Sequence, residues 1–160
     1  MDSATDGTVP PRWMAALGGL QAGVLGAGLS LLWLGVNSAW QRRSFWAAAN
    51  LMASTFYGDD SIHTGFARST VTGIAFYIVL YGLLGALFAY GISGRIRGLR
   101  LFLAGVVFGA AWYYFSFGLL WKNVSPLLVL LHPQRPTLVG HILFGGIVGR
   151  FERFTPGASH

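Results

Sequence analysis

Long apolar runs free of charge alternate with short polar connections along this chain. The first run, residues 13–36, holds 24 residues without an Asp, Glu, Lys or Arg, the second, 69–93, holds 25, and the third, 101–121, ends at Lys122. A helical crossing of a bilayer takes about 20 apolar residues, so each of these is long enough. The fourth run, 137–154, is uncharged only to Gly149 and crosses if Arg150 and Arg153 extend to the headgroups. The pattern predicts an all-α polytopic membrane protein, four transmembrane helices in a compact bundle spanning residues 13–154, with polar tails at 1–12 and 155–160. The first run has no small-residue cleavage site after a short core, which marks it as an anchor and not a signal peptide.

The connections differ in kind. Residues 37–58 mix Trp40, Phe45 and Trp46 with Arg42, Arg43 and Asn50, a blend that suits an interfacial amphipathic segment lying at the headgroups. Residues 123–136 contain a short apolar piece bounded by Pro126 and Pro133, too short to cross and therefore re-entrant or surface-lying.

Composition sharpens this picture. Hydrophobic residues make up 54% and charged residues 10%, against about a quarter charged in a soluble domain, and the four runs leave no room for a catalytic domain outside the membrane. The absence of cysteine excludes a disulfide framework, a thiolate metal site and an iron–sulfur cluster. The net charge of +6 resides at the ends of the apolar runs, where anionic headgroups account for it without nucleic acid. Arg95, Arg97 and Arg100 crowd the short connection 94–100, which places that connection and both termini in the cytoplasm.

Lipid supplies no hydrophobic drive between helices, so close backbone approach must hold the runs together. Small residues at four-residue spacing recur in every run: Gly19 and Gly23 in the first, Gly82 and Ala86 in the second, Gly105 and Gly109 in the third, Gly145 and Gly149 in the fourth. The first run has a second small stripe, Gly18, Ala22, Gly26 and Ser30, more than one partner needs, which suggests a neighbouring subunit.

Groups able to carry chemistry are few. No Asp, Glu or Lys lies inside a run, which argues against proton-coupled transport. His141 is the foremost candidate: one turn into the fourth run, its imidazole suits a ligand to a metal-centred pigment or haem, a hydrogen bond to a quinone carbonyl, or a simple bond to a carbonyl or water near the headgroups. Tyr81 and Tyr113 are its candidate neighbours in such a site. His63 follows Asp59 and Asp60 at offsets of four and three, so one helical turn presents all three to a divalent ion, although a solvated turn explains them equally. No phosphate loop, nucleophile elbow, zinc-protease motif or carboxylate pair occurs.

A glycine-rich first run, His63 and Gly65 ahead of the second, a basic connection, and a last run reading Gly140-His141-Ile142-Leu143-Phe144-Gly145 and closing on Arg150-Phe151-Glu152-Arg153 resemble the YagU-like small four-helix inner-membrane proteins of bacteria. The resemblance implies the four-helix topology and a bacterial inner membrane. The expected function is that of a non-enzymatic accessory or structural subunit of a larger respiratory or photosynthetic membrane complex, in contact with membrane lipids and other membrane subunits, with bound phospholipid and a pigment or quinone as the ligands to look for. The alternative is an independent homo-oligomeric channel or small-solute carrier.

Overall fold

The computed structural model describes residues 11–155, so most of the two polar tails lies outside the described residues. Every regular element within them is helical. In chain order these are α1 (Arg12–Trp40), α2 (Ala47–Tyr57), α3 (Arg68–Ile92), α4 (Gly98–Phe115), α5 (Trp121–Val124), α6 (Pro126–Leu131) and α7 (Gln134–Val148). Short 3-10 turns follow α2 at Gly58–Ser61 and α7 at Phe151–Phe154. A π-helical turn, Ser116–Leu120, joins α4 to α5 without a break. Three stretches are long and apolar enough to cross a membrane: Arg12–Trp40, Arg68–Ile92 and Gly98–Val124.

The fourth run differs from expectation in length. α7 has 15 residues, about 22 Å at 1.5 Å per residue, less than the roughly 30 Å of a hydrocarbon core. The helix stops at Gly149, and the chain resumes as a 3-10 turn whose Phe151 is buried against α1. Arg150 reaches sideways over the Phe102 ring, 4.9 Å from its centroid.

α1 is the central element, packed on α3 along one side and on α7 and the last 3-10 turn along another, while α4 packs on α7. The small residues explain both seams. A Cβ on Gly19 would strike the Gly85 carbonyl and Ala89, and one on Gly85 would strike the Gly19 carbonyl; Gly23 lies equally close to the Tyr81 carbonyl and Gly82. On the other seam Gly105 faces Gly145 and Gly149, and Gly109 faces the His141 carbonyl. Backbones this close gain dispersion contacts along the whole crossing, the main cohesive force available in lipid. The second stripe of α1 is used inside the chain: Gly18 abuts Phe151 and Thr155, Gly26 abuts Phe144, and the Ser30 hydroxyl donates to the Gly140 carbonyl. It is therefore not spare surface for a neighbouring subunit. Trp33 adds a second polar tie to α7, its indole N–H donating to the Pro136 carbonyl at 2.9 Å.

The segment 37–58 also departs from the amphipathic reading. Its first residues complete α1, and its last form α2, in which Ala49 to Ser54 are all buried. Gly73 of α3 allows the Ala49 carbonyl to approach directly. Asn50, fully buried, donates to the carbonyls of Thr64 at 2.8 Å and Gly65 at 3.1 Å and accepts from the Thr70 hydroxyl at 2.6 Å. A polar side chain that reads as surface chemistry is thus the tie between α2, the following loop and α3, each of its groups satisfied within the protein. Within 123–136, Leu128 is buried in the core while Leu130 and Leu131 remain exposed.

Between α1 and α2 the chain turns back through a Schellman motif. The Arg42 N–H donates to the Ala39 carbonyl at 3.0 Å, and the Arg43 N–H donates to the Ser38 carbonyl at 2.9 Å. Arg42 sits at φ +57°, a left-handed conformation in which glycine is the usual occupant.

Candidate functional site

α3, α4 and α7 bring the three residues singled out for ligand contact to one place. His141 is buried, its Nδ1 2.8 Å from the Thr137 carbonyl and its Nε2 2.7 Å from the Tyr81 hydroxyl. A carbonyl only accepts, so Nδ1 donates to it, while Nε2 pairs with the Tyr81 hydroxyl. Both ring nitrogens are engaged, and service as an axial metal ligand requires Nε2 to leave Tyr81. Tyr113 lies with its ring 5.4 Å from the His141 ring, while its hydroxyl points to His132 Nε2 at 3.5 Å. His132 in turn donates from Nδ1 to the Val129 carbonyl at 2.7 Å and stacks on Phe117 of the π-helical turn, ring centroids 3.9 Å apart.

Tyr77 precedes Tyr81 by one turn of α3, and the two rings stack at 4.1 Å. Both side chains are buried, but the Tyr77 hydroxyl has no hydrogen-bond partner among the described residues. A narrow cavity of about 40 Å³ reaches this point, lined by Tyr77, Tyr81, His141, Thr137, Phe117 and Leu128 among others. A water needs roughly 10–15 Å³ of such space, so the cavity has room for one placed to satisfy Tyr77.

Leu34, Ala48, Leu51 and Pro133 are shared with a wider chamber of about 310 Å³, whose remaining walls come from Ser38, Arg43, Ser44, Ala47, Ile62, His63 and Leu131. The two spaces adjoin across these shared walls as a recess, with Arg43 and His63 in its wide part and Tyr77, Tyr81, His132 and His141 along its narrow part. The wide part was not legible in the sequence: Arg43 and His63 lie in separate connections, and only the turn at Arg42 and the folding of α2 onto α3 bring them together.

Asp59 and Asp60 do not line this recess. They occupy the 3-10 turn that ends at Ser61, and His63 falls in the loop beyond it, so the single α-helical turn that aligns the three does not form. Among the described residues no three His, Asp or Glu side chains converge on a metal position.

Comparison with family models, with curated proteins and with solved structures found no match to this chain.

Proposed function

We propose that the chain is a non-enzymatic, four-spanning protein of a bacterial inner membrane that works as an accessory subunit of a larger membrane assembly. The carrying observation is Gln21. It lies eight residues beyond Trp13, about 12 Å along α1 and close to the middle of a core about 30 Å thick, and it is exposed. A primary amide facing hydrocarbon without a partner costs about 4–8 kcal/mol on a water-to-cyclohexane scale. Gly28, two turns further on the same face, is open as well, with nothing within 4 Å of a Cβ placed on it. An amide beside a small residue on an otherwise apolar face is the surface on which one membrane helix receives another, with the amide bonded across the contact.

In this reading α7 and the turn at Phe151–Phe154 make the fourth crossing, with Arg150 lying over the Phe102 ring where α7 ends. Arg12, Arg95, Arg97, Arg100, Arg150 and Arg153 then share the cytoplasmic end. That grouping is supported by contacts between the helix ends that carry them: Arg12 lies over the Tyr90 ring, and Phe151 packs with Ala15 and Ala89.

The test is extraction of native membranes in mild detergent, followed by native electrophoresis and identification of co-migrating proteins. Wild-type chain is expected in a larger species with other membrane proteins, and Gln21→Leu is expected to be released from it with its own fold intact. A wild-type chain that migrates alone overturns the reading, and a species built only of this chain replaces it with the homo-oligomeric alternative.

A further inference from the structure

We propose that the 310 Å³ chamber between α1, α2 and α6 is a binding site for the phosphate headgroup of an anionic lipid, held by Arg43 and His63. This stands apart from the subunit reading, which rests on the opposite kind of surface, the outer face of α1.

The volume lies at the lower end of the roughly 300–1,000 Å³ typical of small-molecule pockets. That suffices for a headgroup and the first atoms of its chains. The walls are divided in the same sense as the ligand. Leu34, Leu51, Ile62 and Leu131 make the apolar part, and Arg43, His63 and the hydroxyls of Ser38 and Ser44 make the polar part. Leu131 is exposed, so chains leaving the chamber pass over it into the surrounding bilayer.

The charge argument selects the headgroup. Among the described residues Arg43 and His63 are the ionisable ones that line the chamber, and no described carboxylate lines it. A guanidinium presents a planar fork of donors that matches two phosphate oxygens at once, and charge-assisted bonds of this kind are about twice as strong as neutral ones. Ser44 Oγ accepts from the Trp46 N–H at 3.2 Å, which leaves its own O–H free to donate to a third oxygen.

The position of Arg43 is built, not accidental. The Schellman turn holds its N–H on the Ser38 carbonyl, one residue beyond the left-handed Arg42, so the side chain begins next to a wall of the chamber. The loop that supplies His63 is held from beneath by Asn50, which bonds the carbonyls of the two residues after it. The two side chains are thus mounted on anchored backbone.

The experiment uses the full chain reconstituted in nanodiscs of equal parts phosphatidylcholine and phosphatidylglycerol, with retained lipid counted by native mass spectrometry. Wild type is expected to retain phosphatidylglycerol over phosphatidylcholine about tenfold, the ratio that corresponds to about 1.4 kcal/mol. Arg43→Gln, an exposed position whose replacement leaves the core untouched, is expected to lose that preference, and Arg43→Lys to keep part of it. Arg135→Gln removes a cation from the same end of the molecule but from outside the chamber and is expected to change nothing. Equal loss in Arg43→Gln and Arg135→Gln overturns the proposal in favour of general surface charge, as does retention of both lipids alike by wild type. In nanodiscs of phosphatidylcholine alone, retention of inorganic phosphate at a level matching that of the lipid overturns the lipid as its source.

Discussion

Arg42 is a residue whose conformation and identity disagree. An L-residue in the left-handed region carries a cost of roughly 1–2 kcal/mol from its Cβ, which glycine avoids at the expense of a more flexible unfolded chain. Arg42→Gly is therefore expected to stabilise the protein by about 0.5–1 kcal/mol, seen as a higher Tm in detergent, whereas Arg42→Ala, which keeps the Cβ, gives no such gain. Nothing in the local sequence marks this position, because the run of Gln41, Arg42 and Arg43 lacks the glycine that usually announces a helix end. Tyr81 was readable as a candidate neighbour of His141, but the bond between them was not. The two stand 60 positions apart, and the one-turn spacing that gives His141 the Thr137 carbonyl and stacks Tyr81 on Tyr77 is the sole local sign that each side chain is held.

At the scale of the elements, the seams of glycine decide which helices meet. A side chain on Gly23 meets the backbone of Tyr81 and Gly82, which cannot rotate away, so Gly23→Leu must separate α1 from α3. The expected cost is about 3 kcal/mol. Leu31→Ala removes a half-buried side chain and is expected to cost about 1–2 kcal/mol. Thermal unfolding in one detergent ranks the two, and an equal or reversed ranking would contradict close backbone contact as the main cohesion. These stripes were readable because a helix repeats its face every three to four residues. The second stripe of α1 was readable as a surface but not as to its partner, since the turn that carries Phe151 and Thr155 back onto Gly18 follows the last helix. The burial of α2 was hidden for another reason: Trp46, Phe56 and Arg43 resemble headgroup chemistry whether the segment between them rests on lipid or on α3.

For the whole molecule, the ends of the helices carry the test of orientation. Gly65 is exposed with open space around it, and Arg95 is exposed in the connection between α3 and α4. Ser61, nearby, is buried and unsuited to labelling. With no native cysteine in the chain, Gly65→Cys is expected to react with an impermeant maleimide added to intact cells, and Arg95→Cys only after the membrane is opened. The reverse pattern would turn the protein over in the bilayer and place the recess on the cytoplasmic side.

The π-helical turn at Ser116–Leu120 makes the architecture sensitive to chain length as well as to chemistry. A wide turn holds one residue more than the α-helix on either side of it. Gly118 within it faces open space, so its removal costs no local contact. Its removal closes the turn to the ordinary repeat with both flanks held, whereas a residue deleted from the regular part of α4 rotates everything beyond it by about 100° and draws it back about 1.5 Å. Trp121 then swings out of the core, and the stack of Phe117 on His132 is lost along with the seat of Leu128. The recess would lose its α6 wall although no residue lining it had been changed. A single position deleted from the regular turns of α4 is thus equivalent to rebuilding the far side of the binding chamber, while one deleted from the wide turn is not.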